Sequence, residues 1–196
     1  MSSGPFDFEL GHSGVVTHRL RAQGVTTFAA ACSLVERLPY GRVSDSPSPT
    51  SVLDQQRGTC SSKHALLTQL AHESGRFDIQ LTLGYLELTE SNSPGLEALL
   101  QRHSLPAIPE AHCYLRSEAQ RLDFTGLIEG SIPLVDSVVS EEHIAIDQLR
   151  EEKRRRHEQY LRRWSADRRL DPSLVWAARE EWIETLSYRI SARDAE

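Results

Sequence analysis

Apolar and polar positions along the chain change rhythm several times, and each change predicts an element. Phe6, Phe8 and Leu10 alternate with polar residues, and Val15, Val16, His18 and Leu20 do so less cleanly. This opening reads as a short strand or docked arm. Phe28, Ala31, Cys32, Val35 and Leu38 then recur at helical spacing behind a capping Thr26 or Thr27, and Pro39 ends that helix. Residues 39–50, rich in proline and serine, read as a loop. A second helix starts near Cys60, capped by Thr59. It carries Ala65, Leu66, Leu67, Leu70 and Ala71 on its apolar face and closes at Gly75. Phe77, Ile79, Leu81 and Leu83 alternate as a strand, continued by Tyr85, Leu86 and Leu88.

Residues 89–111 read as a loop holding one short helix, LEALLQRH. Residues 111–126 read as two short strands around a turn near Ser117–Gln120. Residues 141–166 read as one long charged helix that buries Ile144, Leu149, Tyr160, Leu161 and Trp164. The last helix shows Leu174, Ala178, Trp182, Leu186 and Ile190 every four residues, widened by Trp176 and Ile183. The chemistry-bearing part is therefore expected at 1–140, with a helical extension at 141–196.

Composition narrows the function classes. The 196 residues carry a formal net charge of −6, and mean hydropathy is −0.43. No apolar run approaches the ~20 residues a membrane-spanning helix needs, and MSSGPFDFEL does not look like a secretory signal. Mild acidity gives no electrostatic case for nucleic acid. Residues 1–140 hold 10 basic and 15 acidic residues, and residues 141–196 hold 12 and 13 at higher density. Within the second stretch, Lys153, Arg154, Arg155 and Arg156 lie among Glu151, Glu152 and Glu158, the pattern of a solvated helix face. Cys32, Cys60 and Cys113 form no CxxC pair, which predicts reduced thiols in the cytoplasm and no zinc site.

Three residues suggest chemistry. A thiolate is favoured at a helix N-terminus, where peptide N–H groups point outward, and Cys60 stands there behind Gly58. A nucleophile also needs a base, and the base an orienting group. His112 and Asp123 lie on the two predicted strands, where a hairpin can bring them together. Cys113 adjoins His112 but points to the other strand face. Cys60 and His64 have metal-like i, i+4 spacing but no third ligand, so no metal and no cofactor is expected. Lys63 and His64 either tune the Cys60 charge or face solvent.

The order Gly58-x-Cys60, Ala65-Leu66-Leu67 with Leu70, Gly75, Leu83-Gly84-Tyr85, Ala111-His112 and Leu122-Asp123-x-Thr125 resembles the transglutaminase-like superfamily over roughly residues 25–130. That resemblance implies an α+β, papain-related core, a nucleophile helix packed on a small antiparallel sheet. It also implies a Cys60–His112–Asp123 triad acting on an amide of a peptide, protein or small molecule. The chain departs from the family where Cys113-Tyr114, rather than tryptophan, follows His112, and it shows no acidic calcium loop. The oxyanion would be held by the Cys60 N–H and by Gln55 or Gln56, just upstream. The alternative is a catalytically silent binding module on the same fold. An arylamine acetyltransferase ranks below both. The last two helices permit a homodimer.

Overall fold

A computed structural model describes residues 6–43, 48–118, 120–126 and 133–193, with side chains as far as Tyr188. These residues build seven helices and one four-stranded antiparallel sheet, an α+β architecture. The chain divides into two compact units, each drawn from two stretches. The first is Met1–Thr82 with Cys113–Gly126; the second is Leu83–His112 with Leu127–Glu196.

In the first unit, the opening residues dock as an arm. Phe8 stacks on Phe28 with ring centroids 4.7 Å apart, and Glu9 bridges Thr27. The following segment is not extended as its loose alternation suggested. Val15–Ala22 forms helix α1, burying Val16, Thr17 and Leu20 on one face. Two adjacent buried residues and a third a turn later fit a helical period, not a strand's. No local side chain caps α1. The carboxylate of Glu73 accepts from the Thr17 amide at 2.8 Å and the Val16 amide at 3.4 Å. Gly14 makes room for it: at φ +105°, a Cβ there would lie 2.1 Å from the Glu73 side chain.

Helix α2 (Phe28–Arg37) is capped by Thr27, whose hydroxyl accepts from the Ala30 amide at 3.2 Å, and it stops before Pro39 as expected. Residues 44–47 of the expected loop lie outside the described residues. Beyond them, α3 (Ser51–Gln55) buries Val52 and Leu53, a short helix that the sequence did not announce. Helix α4 (Cys60–Glu73) starts and ends where the pattern places it, with Ser62 Oγ accepting from the Thr59 amide at 2.9 Å. It packs against α1, α2 and α3. Leu66, Leu67 and Leu70 are buried in a cluster with Leu20, Phe28, Val35 and Leu115. Each fully buried leucine stabilises by about 1.5–3 kcal/mol.

The sheet order is β3-β2-β1-β4. Strand β1 (Gln80–Leu88) begins after Phe77, which is 65 % exposed and packs beside His72 instead of joining the inward row. Helix α5 (Glu97–His103) is the expected short helix. Strand β2 (Ile108–Ser117) is longer than predicted and buried at every position except Arg116. A strand covered on both faces shows no alternation, which is why its first residues resembled loop. Strand β3 (Gln120–Leu122) pairs antiparallel with it, Leu115 opposite Leu122.

In the second unit, the charged stretch from 141 is not one helix. Residues Ser140–His143 form β4, a 3-10 turn follows at Ile146–Gln148, and α6 runs over Glu151–Arg168. Partners that periodicity cannot show hold β4: the Val139 amide donates to Tyr85 O at 2.9 Å, and the Tyr85 hydroxyl donates to Glu142. The basic run on α6 is a solvated face, with Arg154 on Glu158 and Arg155 on Glu152. Helix α7 (Pro172–Arg193) buries Val175, Ala178, Trp182, Ile183 and Leu186. Leu174, expected in that stripe, is 62 % exposed. The Ile190 side chain lies outside the described residues.

Candidate active site

Cys60 occupies the first turn of α4, 5 % exposed, behind a glycine that the packing requires. A Cβ at Gly58 would stand 2.9 Å from both Lys63 Cγ and Ser62 Oγ. The same glycine pairs with the segment after α2, its amide donating to Pro39 O at 3.1 Å and its carbonyl accepting from the Gly41 amide at 3.2 Å. The approach to the cysteine is thus fixed from both sides. The first peptide N–H groups of α4 have no partner within the helix, so they bias this end towards negative charge.

Two residues of α4 that the sequence left between tuning a charge and facing water are fully buried. The Lys63 ammonium donates to three backbone carbonyls: Leu38 at 2.5 Å, Thr125 at 2.7 Å and Glu36 at 3.3 Å. An ammonium has three protons and is here surrounded by three acceptors, which makes its burial tolerable. His64 is bonded through both ring nitrogens. Nδ1 lies 2.8 Å from Cys60 O, and the Phe124 amide donates to Nε2 at 2.8 Å. A carbonyl can only accept and an amide can only donate, so Nδ1 carries the proton and Nε2 is bare. Both ring nitrogens are thus engaged by main-chain groups. Among the described residues no group of three His, Cys, Asp or Glu side chains is placed to hold a metal ion.

Asp123 lies just past β3, with Oδ1 3.6 Å from His64 Nε2. The same oxygen accepts from the Thr125 amide at 2.9 Å and from the Thr125 hydroxyl. The Asp-x-Thr signature is therefore an Asx-type turn, and its Thr125 carbonyl is the one held by Lys63. Gly126 closes it at φ +71°, where a Cβ would meet Glu36 O at 2.1 Å. His64 thus links the Cys60 carbonyl to the Phe124 amide, and the Asp123 carboxylate lies beside that link.

His112 lies on β2, 2 % exposed, directly before Cys113. Cys113 is fully buried and its sulfur accepts a hydrogen bond from Ser61 Oγ at 3.5 Å. Gln55 ends α3, half-buried. Gln56 is exposed with φ +49°, and its side-chain amide donates to Leu53 O at 2.6 Å, closing that helix. Burial, with Glu36 nearby, pushes the Cys32 thiol far above the usual range. The signal that could have located Lys63 and His64 was their spacing. They stand three and four residues after Cys60, on the inward side of a helix whose next turn is all apolar.

The second unit has its own buried polar cluster, which the sequence did not suggest. Arg179 grips Glu110 with two bonds, Nε to Oε2 at 2.8 Å and Nη2 to Oε1 at 3.0 Å. Buried His157 donates from Nε2 to Pro109 O at 3.1 Å and packs its ring 5.1 Å from Trp176. No helix among the described residues is long and apolar enough to cross a membrane. Neither a family model, nor a curated protein, nor a solved structure matches the chain.

Proposed function

We propose that the protein is a thiol enzyme of transglutaminase-like type that hydrolyses or transfers an acyl group at an amide bond, with Cys60, His112 and Asp123 as its triad. The observation that carries this reading is the placement of Cys60 in the first turn of a capped helix, with the Asp123 carboxylate 3.6 Å from the ring of His64, one turn along that helix. The Cys60 thiolate attacks the amide carbonyl carbon. His112 passes the sulfur's proton to the leaving amine, and a thioester remains. Water, or a second amine, then attacks the thioester and gives its proton to His112, and the sulfur leaves as thiolate. Asp123 is the group that orients the imidazole in this reading. The oxyanion is held by the Cys60 amide and by Gln55 or Gln56, just upstream of the nucleophile. The substrate is an amide of a peptide, protein or small molecule. The three thiols, none of them in a disulfide, suit a reducing compartment, the cytoplasm, and α6 and α7 are the surface for any homodimer.

A second reading, a silent binding module on this fold, is favoured by one observation: Cys60 and His112 are almost wholly covered. Alkylation by iodoacetamide against pH, followed cysteine by cysteine, separates the two. An enzyme shows Cys60 alkylating fastest, with an apparent pKa below the ordinary ~8.5 of a free thiol, and His112→Gln abolishes that advantage. Equal sluggishness at Cys60, Cys32 and Cys113 identifies the silent module.

A further inference from the structure

His64 stands four residues after Cys60, so its ring lies one turn along the same face of α4. Its side chain is fully buried, yet it is bonded to backbone at both ends. At one end is the carbonyl of Cys60 itself. At the other is the amide of Phe124, the residue immediately after Asp123, and Asp123 Oδ1 lies 3.6 Å from the same nitrogen. The Phe124 ring packs beside the imidazole with centroids 6.2 Å apart. The bridge consists of two bonds of 2.8 Å each, the second of which spans 60 residues of sequence. An imidazole is rigid, so its two nitrogens set a fixed spacing between the two backbone groups. A flexible side chain of equal length could not.

We infer that His64 is a positioning residue. It fixes the distance between the Cys60 peptide and the Asp123–Phe124 peptide, and thereby sets the orienting carboxylate relative to the nucleophile. The inference rests on the triad reading and adds a residue that takes no proton and touches no substrate. His64 can do this because its nitrogens are both occupied: its proton stays on Nδ1, facing a carbonyl that cannot accept transfer of it. General-base work is left to His112.

Two half-isosteres test it. In His64→Asn the side-chain amide reaches the Nδ1 position and can still donate to Cys60 O, but nothing reaches Phe124. In His64→Gln the side-chain carbonyl reaches the Nε2 position and can still accept from the Phe124 amide. The readouts are the pH profile of Cys60 alkylation, the hydrogen exchange of the Phe124 amide, and the thermal midpoint. With Phe124 released, His64→Asn should raise the apparent pKa of Cys60 by about one unit, which is about tenfold less thiolate well below that pKa. The Phe124 amide should exchange faster in the same variant. His64→Gln should keep Phe124 protected and the pH profile close to wild type at a comparable thermal midpoint.

If both variants leave the profile of an activated Cys60 unchanged, while His112→Gln still abolishes activation, the positioning role is overturned and the triad stands. If both variants shift the profile equally, in step with the thermal midpoint, His64 is merely structural and the inference is again overturned. If wild-type Cys60 shows no activation, the triad reading fails, and the positioning role fails with it.

Discussion

The two units bury polar side chains in opposite ways. At the start of α4, Lys63 and His64 hold main-chain groups: carbonyls of Glu36, Leu38, Cys60 and Thr125, and the amide of Phe124. In the second unit, Arg179 and Glu110 satisfy each other through side chains. The first arrangement positions backbone. The second neutralises charge between β2 and α7, elements whose backbones their own hydrogen bonds already hold. A site that needs a peptide N–H or a turn in a fixed place is better served by the first kind, because it constrains the main chain directly. That contrast, rather than burial alone, distinguishes the Cys60 region.

Breaking each cluster should show the difference. Arg179→Met leaves the Glu110 carboxylate buried without its bidentate partner, and removal of one member of such a pair costs about 3–5 kcal/mol. Urea unfolding of this variant should show that loss, while Cys60 alkylation in the folded state stays as in wild type. Lys63→Met removes a donor from three carbonyls, at about 1–3 kcal/mol for the leading unsatisfied group. Its signature is local: faster hydrogen exchange over residues 36–38 and 124–126, together with slower alkylation of Cys60.

The smallest effect concerns mild acid. His157 titrates below the ordinary histidine range, chiefly because burial disfavours its charged form, with Arg179 and Lys153 adding to that. The unfolded chain, with an ordinary histidine near 6.5, therefore binds a proton first as pH falls, and stability drops below about pH 6.5. A loss of about 1 kcal/mol or less between pH 7 and 5.5 is expected, and it should vanish in His157→Gln. For Glu110, burial acts to raise the pKa, but Arg179, His157 and Lys153 together outweigh it and hold the carboxyl to about 2, against an ordinary 4.5. Its contribution is complete above pH 4.5 and is lost as pH falls from there towards 2, so thermal midpoints measured across that range should fall more steeply than in mild acid.

Legibility in the sequence followed the reach of each interaction. Helices α2 and α4 were legible because Thr27, Thr59 and the apolar spacing act within a few residues. The hairpin of β2 and β3 was legible from its turn. Helix α1 was not, because its cap, Glu73, comes from the far end of α4. Strand β4 was not, because the sequence SEEH looks helical until Tyr85 supplies a partner. In the candidate site, the Gly58-x-Cys60 and Asp123-x-Thr125 signatures marked a helix start and a tight turn. Lys63 and His64 were opaque for a different reason. Each holds main-chain atoms far away in sequence, 25 to 62 residues off, and any residue type can supply a carbonyl or an amide.

The interleaving of the two units bears on how the chain is made. The first unit has all its residues once Gly126 is synthesised, whereas the second begins at Leu83 and lacks α6 and α7 until translation nears Arg193. Chains grow at about 5–20 residues per second, so the remaining stretch of roughly 70 residues takes several seconds. During that interval Cys60, Lys63, His64 and Asp123 are all available to assemble. Leu96, Leu99, Leu100 and Leu105, buried in the finished protein, must wait for the helices of their own unit. Nascent chains that have released Gly126 from the ribosome, but not yet α6 and α7, would therefore expose these leucines to a chaperone.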